Sequence, residues 1–185
     1  MNLSLVQRWA VLLAILTVSM QADVFAQKRK KSQDKDEEYI YKIDKRDLDI
    51  QGLFIEAVTE KELGNIEDAI GLFNAVLKLD PGNHAAYYEL SRMAYENNDL
   101  TIAEEFAEKA VKINPYNEWY HIYLAESRAH QGNYIGAAKG YQALVDAMPE
   151  KWEYLQDVGY MYARGEDYEE AIRIYEELEI QQGMS

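Results

Sequence analysis

One spacing constrains this chain more than any other feature: a period of 34 residues. Ala69, Ala103, Ala137 and Ala171 stand one period apart, as do Asn65, Asp99, Asn133 and Asp167. Pro81, Pro115 and Pro149 keep the same interval and are the only prolines in the chain. A fixed period of this length marks a stacked helical repeat, in which each unit is a helix pair that cannot bury its apolar face alone. The stretch Gly132–Pro149 shows one half of such a unit: an Asn ahead of an amphipathic helix, closed by proline.

The remaining copies follow the same grammar. The first unit spans about 50–83, with Gly64 and Asn65 as its inner turn and Asn65 as the expected cap of the second helix. Ile66, Ala69, Ile70, Phe73, Val76 and Leu77 then recur at helical spacing. Asp80-Pro81-Gly82-Asn83 ends the unit: proline cannot continue a helix, glycine is expected to take the awkward backbone angle, and Asn83 caps the next helix. The other units span about 84–117, 118–151 and 152–185. Caps at the unit boundaries recur as Asp49, Asn83 and Asn117 and fail at Lys151, and the closing proline becomes Gly183 in the fourth unit.

These residues resemble the tetratricopeptide repeats. The third unit carries the pattern most fully, in Leu124-Ala125, Gly132, Tyr134, Ala137, Tyr141, Leu144 and Pro149. The fourth gives Val158-Gly159, Tyr162, Tyr168, Ala171, Tyr175 and Leu178; the second gives Tyr87, Leu90-Ser91, Leu100, Ala103, Ala110 and Pro115, with Ala107 where an aromatic is usual. In the first, Glu56-Ala57 stands for the large-small pair, and Gly64, Ala69, Phe73 and Pro81 hold the rest. The resemblance covers about 136 of the 185 residues. It implies an all-α fold, an α-solenoid of about four helix-turn-helix units forming a right-handed superhelix whose first helices line a concave groove.

The resemblance also implies where a partner would lie. The ligand-facing positions of the first helices fall on Tyr88, Arg92 and Tyr95 in the second unit, on Trp119, Ile122, Glu126 and His130 in the third, and on Gln156, Tyr160 and Arg164 in the fourth. Tyr, Trp and Arg dominate binding energy at interfaces. Against this stands the reading that Tyr and Trp there pack on neighbouring helices. Some members of the family clamp a C-terminal carboxylate with Lys and Asn; the corresponding places here hold Phe54, Val58, Tyr88 and Trp119, which disfavours that mode.

Before the repeats come two segments of different character. Residues 1–26 read as an export signal: Arg8 gives a positive start, Trp9–Val18 an apolar core, and Val24-Phe25-Ala26 a small-residue cleavage site. Lys28-Arg29-Lys30-Lys31 follows at once, and basic runs favour the cytoplasmic side, so an uncleaved anchor is the alternative. Residues 27–48 carry charge blocks with few apolar residues and read as a flexible linker. The repeat domain is placed at 49–185.

Charge and composition narrow the function. From Gln27 to Leu48 eight Lys/Arg face six Asp/Glu; from Asp49 to Ser185 ten face twenty-six, a net of −16. So acidic a body repels phosphate backbones and anionic lipid, so nucleic acid is not an expected partner; the charge reads first as a solvated acidic surface, and selection of a basic protein segment is the alternative. The chain has no Cys, which removes thiol nucleophiles and zinc–thiolate sites. His121 and His130 are nine residues apart, on opposite faces of one helix, and cannot share a metal. Gly132, Gly136 and Gly140 recur every fourth residue and are expected to serve close helix packing. Acid clusters such as Glu166-Asp167 with Glu169-Glu170 suit the first turn of a helix. No catalytic set, cofactor motif or metal set emerges.

The expected function is therefore a non-enzymatic interaction scaffold of the periplasm or cell envelope that binds a peptide or protein segment in its groove. The alternative is the accessory repeat region of a longer envelope chaperone or enzyme. Self-association through an uncapped fourth unit, with Ile174 and Leu178 at its face, is a further expectation.

Overall fold

A computed structural model describes residues 46–183; the export segment and nearly all of the charged linker lie outside the described residues. The repeats lie in the compact unit Ile50–Ser185. The helices of the described residues are α1 (46–62), whose first turn precedes that unit, α2 (Ile66–Leu79), α3 (His84–Glu96), α4 (Leu100–Ile113), α5 (Glu118–His130), α6 (Tyr134–Ala147), α7 (Leu155–Arg164) and α8 (Tyr168–Gln181). A 3₁₀ segment, Pro149–Tyr154, leads into α7. No strand occurs among the described residues. The helices pack in chain order, α2 on α3, α3 on α4 and so on to α8, and α3 also touches α5. This is an all-α solenoid of helix pairs, with cohesion supplied by neighbours.

The alanine of the period is the reason the pairs close. Ala69, Ala103 and Ala137 are fully buried and Ala171 nearly so. The opposing position on each first helix is small as well: Ala57, Ser91, Ala125 and Gly159. Ser91 keeps its hydroxyl in this tight crossing by donating to the Ala103 carbonyl at 2.8 Å. One turn after the alanine, Phe73 and Tyr141 fill the space toward the next unit and are buried. In the second unit Ala107 stands there instead, and neighbouring Phe106 packs back against the first core with Ala86, Leu90 and Met93.

The four inner turns share one backbone solution. Gly64, Asn98, Gly132 and Glu166 all have positive φ, at 82°, 65°, 81° and 64°. This is the left-handed region, natural for glycine, tolerable for asparagine and strained for glutamate. Gly183, in the place of the missing fourth proline, also has positive φ, 70°, and follows the end of α8 as a left-handed C′ residue.

Several local expectations are corrected. Asp49 lies inside α1, so it caps nothing. Asn65 makes no side-chain cap; its amide donates to Glu60 Oε2 at 2.6 Å. Asn83, Asn117, Asn133 and Asp167 do cap, accepting from Ala86, Trp119, Gly136 and Glu170 backbone N–H groups. Gly82 is not a positive-φ residue; the turn is held by Asp80, whose Oδ1 accepts from the Gly82 N–H at 3.0 Å. The Gly132, Gly136, Gly140 ladder serves three purposes, and only Gly140 serves helix packing. A Cβ there would lie 3.2 Å from Ala125 Cβ, whereas at Gly136 it would strike the Asn133 cap at 2.4 Å.

Candidate functional site

The first helices α3, α5 and α7 carry the face on which the sequence places a partner. Its dominant feature is a band of rings between α3 and α5. His84 meets Tyr120 at 5.7 Å between centroids; Tyr120 meets Tyr88 at 5.1 Å; Tyr88 meets Tyr123 at 5.5 Å; Tyr123 meets Tyr95 at 5.5 Å; and Tyr95 meets His130 at 5.3 Å. Most are tilted or edge-to-face, the arrangement that ring quadrupoles favour. The His84 ring nitrogen and the Tyr120 hydroxyl share a 2.8 Å hydrogen bond. Burial is the main influence raising the phenol pKa values of Tyr95, Tyr120 and Tyr123, so these rings stay neutral.

The band arises because tyrosines recur on the facing sides of α3 and α5: Tyr88 and Tyr95 seven residues apart on one, Tyr120 and Tyr123 three apart on the other. Tyr88 and Tyr95 are thus largely inter-helix packing. Tyr120 and Tyr123 belong to the same band and were not among the expected site residues. The signal was present in their i, i+3 spacing. Ile122, which was expected there, packs against the core cluster of the third and fourth units instead.

Glu126 is the polar centre of this face. Its Oε1 accepts from the Tyr141 hydroxyl at 2.8 Å, and its Oε2 lies 3.8 Å from His130 Nε2. Tyr95 donates toward Oε2 at 3.5 Å, and its oxygen lies 3.1 Å from His130 Nε2. Tyr141 comes from α6; its ring is buried and stacks on Tyr154, with centroids 6.1 Å apart. Asp157 on α7 completes the group: burial first, then the charge of Glu126, raises its carboxyl pKa above the ordinary value. Neither Tyr141 nor Asp157 was among the expected residues.

The two arginines of the face differ. Arg92 lies 3.4 Å from Glu89 and 3.5 Å from Glu96, and Glu89 also accepts from Lys61 at 2.8 Å. Among the described residues Arg164 is held by tyrosines: it donates to Tyr134 at 2.7 Å and to Tyr160 at 3.0 Å. Trp119, Gln156 and Tyr160 are exposed, Trp119 at 53% and Tyr160 at 47%. The expected site thus separates into a packed half, Tyr88, Arg92, Tyr95 and Ile122, and an open half, Trp119, Gln156, Tyr160 and Arg164. Glu126 and His130 lie between them.

Outside this face, His121 is buried and its Nε2 lies 2.9 Å from the Pro115 carbonyl, which makes it a core histidine. A cleft of about 640 Å³ opens between α2 and α4, lined by Ile66, Ile70, Met93, Ile102 and Phe106 among others. No group of three or more His, Asp or Glu able to hold a metal occurs among the described residues. No described helix is long and apolar enough to cross a membrane.

With this geometry in hand, three comparisons place the chain. The profile described as tetratricopeptide repeat matches residues 56–118 and 122–184. A tetratricopeptide repeat and J domain-containing co-chaperone of Fusarium oxysporum is 26% identical over 110 residues, covering 60% of this chain and 21% of its own. The chain thus spans about a fifth of that relative's length. Among solved structures, a crystal structure of MamA protein superposes with a TM-score of 0.61 at 19% identity, covering 72% of this chain and 73% of that one. A double mutant of MamA RS-1 gives 0.58 at 25% identity, covering 72% and 77%. MamA from Desulfovibrio magneticus RS-1 gives 0.57 at 21%, covering 74% and 77%.

Proposed function

The chain belongs to the tetratricopeptide repeat family, and from that premise we propose a protein-interaction scaffold that holds an extended segment of a partner along α3, α5 and α7. The single observation that carries this reading is the open half of the face. Trp119 and Tyr160 present rings to solvent although the helices bearing them are otherwise packed, and Arg164 stands beside Tyr160. Aromatic and arginine side chains of this kind are the anchors of protein interfaces. The tyrosine band between α3 and α5 fixes that part of the face in advance, which lowers the ordering cost of binding. Glu126 and Asp157 give the middle of the face a negative character that suits a basic residue in the bound segment.

The proposed setting is the periplasm or cell envelope, reached through the export signal of residues 1–26, with anchoring by an uncleaved signal as the competing arrangement. Amino-terminal sequencing of the exported protein decides between them, a start at Gln27 excluding the anchor. A second reading draws on the co-chaperone match: the repeats act as the binding region of a larger machine whose active domain is separate. Self-pairing through α8 cannot use Ile174 as expected, because that side chain is fully buried in the core and Leu178 packs against the same cluster. Ile172 and Tyr175 are the exposed residues there, and light scattering on the purified chain checks whether they pair.

The groove reading is tested on a library of random octapeptides displayed in an array and probed with the purified chain. Capture that falls several-fold in Trp119→Ala and Tyr160→Ala, with unchanged thermal unfolding, supports the open face as the binding surface. Undiminished capture by both variants overturns it.

A further inference from the structure

We propose that Arg164, with Tyr134 and Tyr160, forms a subsite that reads an aspartate or glutamate side chain in the bound segment; this rests on the groove reading above. Three observations converge on it. The first is charge. Arg92, Arg128 and Arg173 each lie against two glutamates, respectively Glu89 and Glu96, Glu104 and Glu108, and Glu170 and Glu177. Arg164 has only tyrosine partners among the described residues. In a chain with a net charge of −14, this guanidinium keeps its full positive charge on the proposed binding face.

The second observation is that the guanidinium is fixed in place. Its carbon lies 4.5 Å from the Tyr134 ring centroid and 5.8 Å from that of Tyr160, within the range of cation–π attraction. Its NH2 and NH1 groups are tethered to the two hydroxyls at 2.7 and 3.0 Å. A flexible side chain is thereby presented in one orientation, so a ligand need not order it.

The third is donor balance. Both tyrosine oxygens accept from Arg164, so each hydroxyl keeps its own proton for another acceptor. The arginine has five N–H donors, most of them still open. The cluster therefore offers donors and wants acceptors, which is the requirement of an oxyanion. NH1 and NH2 each give one hydrogen to a tyrosine, so Nε–H and the second hydrogen of each terminal nitrogen are left in the guanidinium plane, where a carboxylate can accept two of them. Phosphate groups are typically met by clusters of arginines, and none is present here. The site is also separate from the Lys/Asn clamp positions, which hold Phe54, Val58, Tyr88 and Trp119.

The test uses the same octapeptide array with matched sets: one internal Glu, the same peptides with Gln, with phosphoserine, and with a free C-terminal carboxylate. The purified chain is expected to retain Glu peptides about fivefold or more over their Gln twins, the scale of a charge-assisted pair at a partly open site. Arg164→Gln should bring that ratio to about one by weakening the Glu peptides several-fold more than their Gln twins. Tyr134→Phe should lower the ratio in part. A wild-type ratio of about one overturns the proposal, as does a ratio that survives Arg164→Gln, or equal loss of Glu and Gln peptides in that variant. A preference confined to phosphoserine or to free C-termini also overturns it. If the wild-type chain retains no set at all, the groove reading itself falls; retention without acid preference leaves the groove standing and removes only the subsite.

Discussion

The Tyr141 hydroxyl donates to Glu126 Oε1 at 2.8 Å, so a ring buried in the core of the third unit ends on the central carboxylate of the proposed binding face. Core packing and site geometry thus meet in one side chain. The ring is the aromatic that the repeat requires one turn after Ala137. Its polar tip holds Glu126 in a fixed rotamer while leaving Oε2 toward Tyr95 and His130. A phenylalanine would satisfy the packing equally and leave the carboxylate loose.

Tyr141→Phe is therefore expected to cost about 1 kcal/mol at neutral pH, the usual net worth of one such hydrogen bond, read from urea unfolding. It should also change the alkaline limb. Burial, then the bond to Glu126, pushes the Tyr141 phenol well above its ordinary value of 10.0. Above that value the unfolded chain releases a proton that the native state retains. Stability is full below it and falls as pH rises beyond it. The Phe variant should lose stability less steeply there, by one proton's worth.

Asp157 has the opposite charge logic. Its folded pKa is raised, by burial first and by Glu126 second, so its ionised form is disfavoured in the native state at neutral pH. The penalty disappears as pH falls toward the unfolded carboxyl value of 3.8. Asp157→Asn should stabilise the chain at neutral pH by less than about 1 kcal/mol, solvent screening keeping the effect small. The two curves should converge under acid. A variant less stable than wild type at neutral pH would show that Asp157 is held by contacts that outweigh the repulsion.

The inner turns supply a backbone prediction. Glu166 and Asn98 occupy the left-handed conformation that Gly64 and Gly132 take without strain. Glu166→Gly is expected to raise stability by about 0.5–1 kcal/mol, the relief of a Cβ clash less the added freedom of the unfolded chain. Asn98→Gly should gain less, since asparagine tolerates this region. Gly132→Ala should lose about 1 kcal/mol, with nothing within 4 Å of the added Cβ to blame but the backbone angle. Chemical denaturation of the three variants separates conformational strain from packing.

The fold was legible because the period is written in residues with one physical job each. Ala at 69, 103, 137 and 171 can only mean close helix approach at a fixed interval, and the structure buries all four. Turn chemistry was legible less completely. Asn65 and Asn133 occupy equivalent places, yet one donates to Glu60 and the other caps: five residues earlier stands an acid in the first case and Arg128, which offers an amide no acceptor, in the second. The candidate face was legible only in outline. The family pattern names positions on a helix, but the ring band depends on which tyrosines face each other across two helices, and Tyr123 rather than Ile122 does so. Tyr141 bonds to Glu126 from α6 and Asp157 feels its charge from α7, which no single-helix stripe can reveal.

The contrast between packed and open rings gives the sharpest functional test. Tyr88 touches Tyr120 and Tyr123, and Tyr95 touches Tyr123 and His130, so each removes two ring contacts when truncated. Tyr88→Ala and Tyr95→Ala should cost about 2–4 kcal/mol of stability, in the range of large-to-small changes at partly buried aromatic sites. Trp119→Ala and Tyr160→Ala remove exposed rings and should leave unfolding within about 0.5 kcal/mol of wild type. Peptide capture should show the reverse order once each variant is assayed well below its melting temperature. The Trp119 and Tyr160 variants should lose capture several-fold while staying folded, and the Tyr88 and Tyr95 variants should lose it only as the α3–α5 seam loosens. If the folded Tyr88 variant loses capture and the Trp119 and Tyr160 variants keep theirs, the partner sits on the ring band itself, and the open half of the face is surface rather than site.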